Sequence, residues 1–193
     1  MKKLFLAFSF WLLAAGLTHA ATIGFVIPDN RVVMDEELKV ELVLKTESEN
    51  VNALEGGIVW PSDKLELIGV QDNFSVVSLW IKDPNKLATS TLGQLPFSGL
   101  IPSGYGEPRG QILTLIFRPL VSGPASITVK DGLILLNDGK GTPAETIIEP
   151  LNFKIRSTRG INQLWGYLFF LIVGIIIVIL LWRIIRRRKS FAV

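Results

Sequence analysis

The side chains with chemistry to offer gather in two acidic clusters and one glycine-rich turn. Asp35-Glu36-Glu37 and Glu47/Glu49 supply carboxylates, and "NDGKGT" at 137–142 supplies closely spaced oxygens. General-base or nucleophilic catalysis requires such a group beside a partner. Both acidic clusters instead flank alternating, strand-like runs, where solvated turn charge is the expected role. A glycosidase needs two carboxylates that can be far apart in sequence, and no spacing here selects a pair. "NDGKGT" lacks the alternating oxygen ligands over twelve residues that an EF-hand loop requires, so Asn137-Asp138-Gly139 reads as a turn.

The chain contains no cysteine, and its single histidine is His19. That residue lies in a segment expected to be removed, which leaves the mature protein without thiol, imidazole, disulfide or an ordinary zinc ligand set. No catalytic residue, metal or cofactor is expected, and a hydrolase is the weakest of the function classes considered. "LPFSG" at 95–99 resembles a sortase signal but lies more than 60 residues before the apolar C-terminal segment it should immediately precede. "NFS" at 73–75 is a bare glycosylation sequon.

The elements that must position any site are bounded by two apolar stretches. Residues 1–20, "MKKLFLAFSFWLLAAGLTHA", combine a basic start, an apolar run from Leu4 to Leu17 and small residues at Thr18 and Ala20. This is the pattern of a secretory signal peptide cleaved after Ala20. Toward the other end no charge falls between Arg159 and Arg183, and "LWGYLFFLIVGIIIVILLW" runs for 19 residues from Leu164 to Trp182. A helix of that length reaches about 28 Å, close to the roughly 30 Å hydrocarbon core of a bilayer. Trp165, Tyr167 and Trp182 stand near its ends, where aromatic rings favour the headgroup zone. We therefore expect a transmembrane helix over 161–182, after a linker at 156–160. A basic tail at 183–193 carries Arg183, Arg186, Arg187, Arg188 and Lys189. The positive-inside bias places that tail in the cytoplasm and the domain at 21–155 outside, in a single-pass cell-membrane protein.

Charge follows the same division. All 17 acidic residues but only 13 of the 20 basic ones lie in 21–160, so the exported part is about −4 although the whole chain is +3. The exported domain lacks the basic stripe that phosphate binding demands, and nucleic acid is not an expected partner.

Within 21–155 the pattern is strand after strand. "ATIGFVIP" opens it, and "LKVELVLK" at 38–45 alternates with Leu38, Val40, Leu42 and Leu44 on one face. Further strands are expected at 51–60, 65–70, 74–81, 94–101, 111–118, 125–130, 132–137 and 147–155. Turn signals such as Pro61-Ser62-Asp63, Asp83-Pro84-Asn85 and Ser122-Gly123-Pro124 separate them. Short strands at this spacing point to an all-β fold, an antiparallel β-sandwich of one domain.

Taken in order, these residues resemble the cohesin family, jelly-roll sandwiches of about nine strands that receive dockerin modules. "VNALEGGIVWPSDKLELIGV" at 51–70 resembles a family strand that ends in an aromatic residue, turns, and restarts with Leu-x-Leu. "LPFSGLIPSGYGEPRGQILTLIFRPL" resembles the glycine-punctuated approach to the family's "G-x-L-x-x-I-x-F" strand, and "ASITVKDGLILLNDGKGTPAETI" its terminal pair. The resemblance covers about residues 22–155. It implies that Trp60 points inward, and alternation then sends Leu54, Gly56 and Ile58 inward and Ala53, Glu55, Gly57 and Val59 outward. Gly56 stands where the family has a large apolar residue, so a bulky side chain from the facing sheet is expected to fill the gap. In 111–118, Leu113, Leu115 and Phe117 fit the inward set, leaving Ile112, Thr114, Ile116 and Arg118 outward. The resemblance further implies that this strand lies beside 51–60 on the dockerin-meeting sheet. One partner-binding face of Ala53, Glu55, Val59, Ile112, Thr114, Ile116 and Arg118 is therefore expected. The implied function is a membrane-anchored surface module that tethers a dockerin-like or other protein, any calcium belonging to the dockerin.

The alternative is a carbohydrate-binding or adhesive module. "FSVVSLWIK" is apolar on both faces, and exposed Trp80 and Tyr105 would stack on the sugar rings of a polysaccharide.

Overall fold

A computed structural model describes residues 20–29, 31–88, 93–157 and 165–179. Among the described residues up to 155 there are ten strands: β1 (Ala20–Val26), β2 (Leu38–Lys45), β3 (Val51–Val59), β4 (Leu65–Gln71), β5 (Leu79–Lys82), β6 (Gln94–Tyr105), β7 (Arg109–Pro119), β8 (Gly123–Leu136), β9 (Glu145–Ile148) and β10 (Leu151–Ile155). One short helix, α1 (Pro84–Leu87), stands between β5 and β6. There Pro84 takes a first-turn position, and the Asp83 carboxylate accepts from the Asn85 N–H at 2.9 Å.

The strands form two five-stranded sheets, ordered β4-β7-β2-β1-β9 and β10-β8-β3-β6-β5. All the pairings are antiparallel except β1 with β9, which is parallel. The core fills the space between the sheets. Leu38, Val40, Leu42, Leu44, Leu113, Leu115 and Phe117 come from the first, and Leu54, Ile58, Leu95, Phe97, Ile127 and Ile134 from the second; all are buried. Trp60 closes one end: its ring meets Phe117 edge-on, with centroids 5.4 Å apart, and its indole N–H donates to the Leu65 carbonyl at 3.1 Å. The expected all-β sandwich is what forms, and Leu54, Ile58 and Trp60 point inward as the resemblance implies.

Four details differ from the sequence expectation, each for a local reason. The strands expected at 125–130 and 132–137 are one strand, β8. Asp131 takes a left-handed φ of 52°, and the register against β3 shifts between Glu55 and Gly57, so Lys130-Asp131-Gly132 is a bulge within a strand. The run expected at 147–155 is two strands, β9 in one sheet and β10 in the other, with Pro150 between them. The strand expected at 74–81 is regular only from Leu79, because residues 72–78 cross from one sheet to the other. The gap at Gly56 is closed from its own sheet: a Cβ there would lie 2.7 Å from Val129 Cγ1 and 3.2 Å from Phe97 Cζ, both on flanking strands.

Residues 156–193 form a separate unit, of which 165–179 are described as a helix, α2. Its apolar side chains from Trp165 to Ile179 are exposed. Fifteen residues rise about 22 Å. Among the described residues no helix is long and apolar enough to cross a membrane. The rest of the span expected at 161–182 lies outside the described residues, as do the tail at 183–193 and the signal-peptide residues 1–19. Ala20 begins β1, opposite Glu145.

Candidate partner-binding face

The expected face does not exist as one surface. β3 and β7 belong to different sheets, so Ala53, Glu55 and Val59 lie on one outer side of the sandwich and Thr114, Ile116 and Arg118 on the other. Ile112 is on neither. The β2–β7 register slips between Leu42 and Val43, where Leu42 faces Leu113 and Val43 faces Gln111, so Ile112 is the extra residue of a bulge and is fully buried. Strict alternation along "QILTLIFR" fails at that slip.

The outer side of β4-β7-β2-β1-β9 is occupied by its own pairs. Arg118 meets Glu66 at 3.0 Å, Arg109 meets Glu41 at 3.3 Å and Lys45 meets Glu149 at 2.5 Å. Thr114 is buried and its hydroxyl accepts from the Gln111 amide at 3.0 Å. Ile116 lies half-buried beside Gly69 of β4.

The neighbours of β3 are β6 and β8, and their registers arrange the other outer side in rows across the strands. Leu135, Ala53, Leu100 and Leu79 make one row, aliphatic across four strands. The next row is Leu133, Glu55, Ser98 and Lys82, followed by Lys130, Gly57 and Pro96, and then Thr128, Val59 and Gln94. Two shallow depressions meet at Glu55. One, about 180 Å³, is lined chiefly by Ala53, Leu100, Leu133 and Leu135. The other, about 330 Å³, is lined by Glu55, Gly57, Lys82, Gln94, Pro96 and Asp131. The bulge that gives Asp131 its left-handed backbone also puts its carboxylate on this second rim. Among the described residues, Glu55, Lys82, Lys130 and Asp131 form no ion pair with one another or with any other side chain. An aliphatic centre with unpaired charge at its border has the anatomy of a protein interface. Ala53, Glu55 and Val59 share this outer side with Leu79, Lys82, Leu100, Asp131, Leu133 and Leu135. Sequence alternation already sets Ser98 and Leu100 opposite Phe97 and Gly99; the missing information was which strands are neighbours.

Trp80 and Tyr105 are both half-buried, and each polar atom has a partner within the chain. The Trp80 indole N–H donates to Asp72 Oδ2 at 2.9 Å, and the Tyr105 hydroxyl donates to the Arg109 carbonyl at 2.6 Å. Burial, with a smaller contribution from Glu107, pushes the Tyr105 phenol above its ordinary range. Trp80 pairs with Gly99, six residues along β6 from Tyr105, or roughly 20 Å. The two rings do not form a sugar platform. At the "NDGKGT" turn, Asp138 accepts from the backbone N–H groups of Lys140 and Gly141 at 2.8 and 3.0 Å and from the Thr142 hydroxyl. These bonds, the one from Thr142 foremost, lower its pKa to about 2. Among the described residues no group of three or more His, Cys, Asp or Glu side chains is placed to hold a metal ion.

No family's sequence pattern and no curated protein matches the chain. Solved structures do. The seventh ScaB type I cohesin from Pseudobacteroides cellulosolvens superposes with a TM-score of 0.58 at 14% identity, covering 73% of this chain and 95% of its own. A chain from a type I cohesin–dockerin complex of Clostridium thermocellum gives 0.56 at 10% identity, covering 75% and 97%. A non-cellulosomal cohesin from the archaeon Archaeoglobus fulgidus gives 0.54 at 17% identity, covering 75% and 96%.

Proposed function

From a sandwich with the cohesin fold, we propose that this protein is a binding module that holds a partner protein on the outer side of β8-β3-β6-β5. The observation that carries the reading is the contrast between the two outer sides: one ties six of its charges into three ion pairs of its own, the other leaves four charges free around an aliphatic row. Leaving these groups solvated until a partner arrives makes their interactions available for association. Leu79, Leu100, Leu133 and Leu135 supply the apolar area, while Glu55, Lys82 and Asp131 fix orientation.

A similar structure is a type I cohesin–dockerin complex, and a dockerin-type module is the partner class we favour. Together with the expected signal peptide and the apolar span at 161–182, the fuller proposal is a tether: an extracytoplasmic receptor held in the cell membrane, working by adhesion rather than catalysis. The test is capture of host proteins on immobilised residues 21–156, which hold the whole sandwich core, with calcium and then with a chelator. Retention that requires calcium and is lost in Leu133→Asp supports a dockerin-type partner on this face. Calcium-independent retention, lost in the same variant, keeps the receptor and removes the dockerin. Retention of nothing would refute the receptor reading.

A further inference from the structure

The fold itself explains most of the glycines in the strands. A Cβ at Gly56, Gly99, Gly110 or Gly132 would lie within 2.7 Å of a packed side chain, and Gly104 and Gly123 take left-handed φ of 74° and 131°. Gly24 and Gly69 would meet side chains at 3.0 and 3.5 Å. Among the described strand glycines with ordinary φ, Gly57 has the most open surroundings: the nearest atom to a Cβ there is the Lys130 carbonyl oxygen, at 4.0 Å. It stands on the outer side of β3, between Lys130 of β8 and Pro96 of β6. A glycine inside a strand costs backbone entropy and packs nothing. Neither crowding nor φ asks for one at 57, and close approach by something outside the chain is the remaining reason.

The missing side chain opens the depression of about 330 Å³. Gly56, Gly57, Pro96 and Phe97 line it without polar side-chain atoms, and Glu55, Asp131, Lys82 and Gln94 put charge and hydrogen-bonding groups around them. Glu55 and Asp131 stand on adjacent strands, β3 and β8. Lys82 is on β5, two strands from β3, or roughly 10 Å at the usual strand spacing. Lys130 shares the row of Gly57 but does not line the depression. One end of the depression is therefore held by two carboxylates, both without an ion-pair partner among the described residues. An apolar occupant would strip water from them without replacing its hydrogen bonds, and an acidic one would be repelled by both. A guanidinium presents donors in a planar fork that matches carboxylates, on an aliphatic stem that suits Gly57 and Pro96.

We propose that Gly57 is the floor of a subsite for one arginine side chain of the partner, whose stem lies over Gly57 and whose head meets Glu55 and Asp131. This rests on the receptor reading above and names a side chain that the partner must present. Lys82 repels a cation at the β5 end, so the arginine can enter in one direction only.

N-acetylarginine amide is the probe, titrated at low salt into the full isotope-labelled chain in micelles of an uncharged detergent, with amide shifts followed by NMR. The expected result is progressive movement of the Glu55, Gly57 and Asp131 signals, at least about threefold larger than with N-acetylcitrulline amide, which has the same shape and no charge. Glu55→Gln combined with Asp131→Asn should abolish that movement. Gly57→Leu should abolish it too, with a thermal midpoint no lower than that of the parent chain, because the added side chain has open space to occupy. No movement at these three signals, equal movement with the citrulline compound, or movement that persists in Gly57→Leu overturns the subsite. The titration contains no partner protein, so that failure leaves the receptor standing. Movement with arginine in a chain that captures no protein overturns the receptor reading and not the subsite.

Discussion

Ile112 and Leu133 are both aliphatic residues in strands, yet the account gives them opposite roles. Ile112 is fully buried at a bulge, so Ile112→Ala removes core atoms and should cost about 2–5 kcal/mol in denaturant unfolding without changing the binding site. Leu133 lines an open depression, and Leu133→Asp should leave the unfolding midpoint nearly unchanged while abolishing capture. Asp138 supplies a pH readout. Its pKa is lowered to about 2, so the stability it contributes is complete above the ordinary carboxylate value near 3.8 and fades as pH falls from about 4 towards 2. Carboxyl carbon shifts followed by NMR should show that low titration, and Thr142→Val should move it upward, because the Thr142 bond is the largest cause.

At the scale of elements, backbone irregularities decide which side chains face outward. Gly56 lets Phe97 and Val129 close over β3, and Gly56→Leu, which restores the large residue usual in the resembled family, should destabilise by about 1–3 kcal/mol in thermal or denaturant unfolding. Asp131 sits at φ 52°, where a residue with a Cβ is penalised; Asp131→Gly should stabilise the fold by up to about 1 kcal/mol in denaturant unfolding. Much of this scale was legible in the sequence. The alternation of "LKVELVLK" and the Trp60-Pro61 boundary gave their strands correctly, since period two and turn chemistry are local properties. Strand adjacency was not legible: β3 pairs with β6 and β8 through partners 35 to 85 residues away, and no local pattern separates that pairing from one with β7. The slip at Ile112 was hidden for a related reason, because a bulge is defined by two strands and a sequence shows one at a time.

For the molecule as a whole, the cohesin-type sandwich leaves four charges unpaired around the aliphatic row on one broad side and carries three ion pairs on the other. On that asymmetry rests the claim that this is a one-sided receptor. The most direct measurement compares partner capture by residues 21–156 carrying Leu133→Asp with capture by the same fragment carrying Ile116→Asp, both checked for unchanged circular dichroism. We predict that Leu133→Asp abolishes capture and that Ile116→Asp, on the opposite sheet, retains it. Capture that survives Leu133→Asp and fails in Ile116→Asp would place the partner on the other sheet and contradict the account.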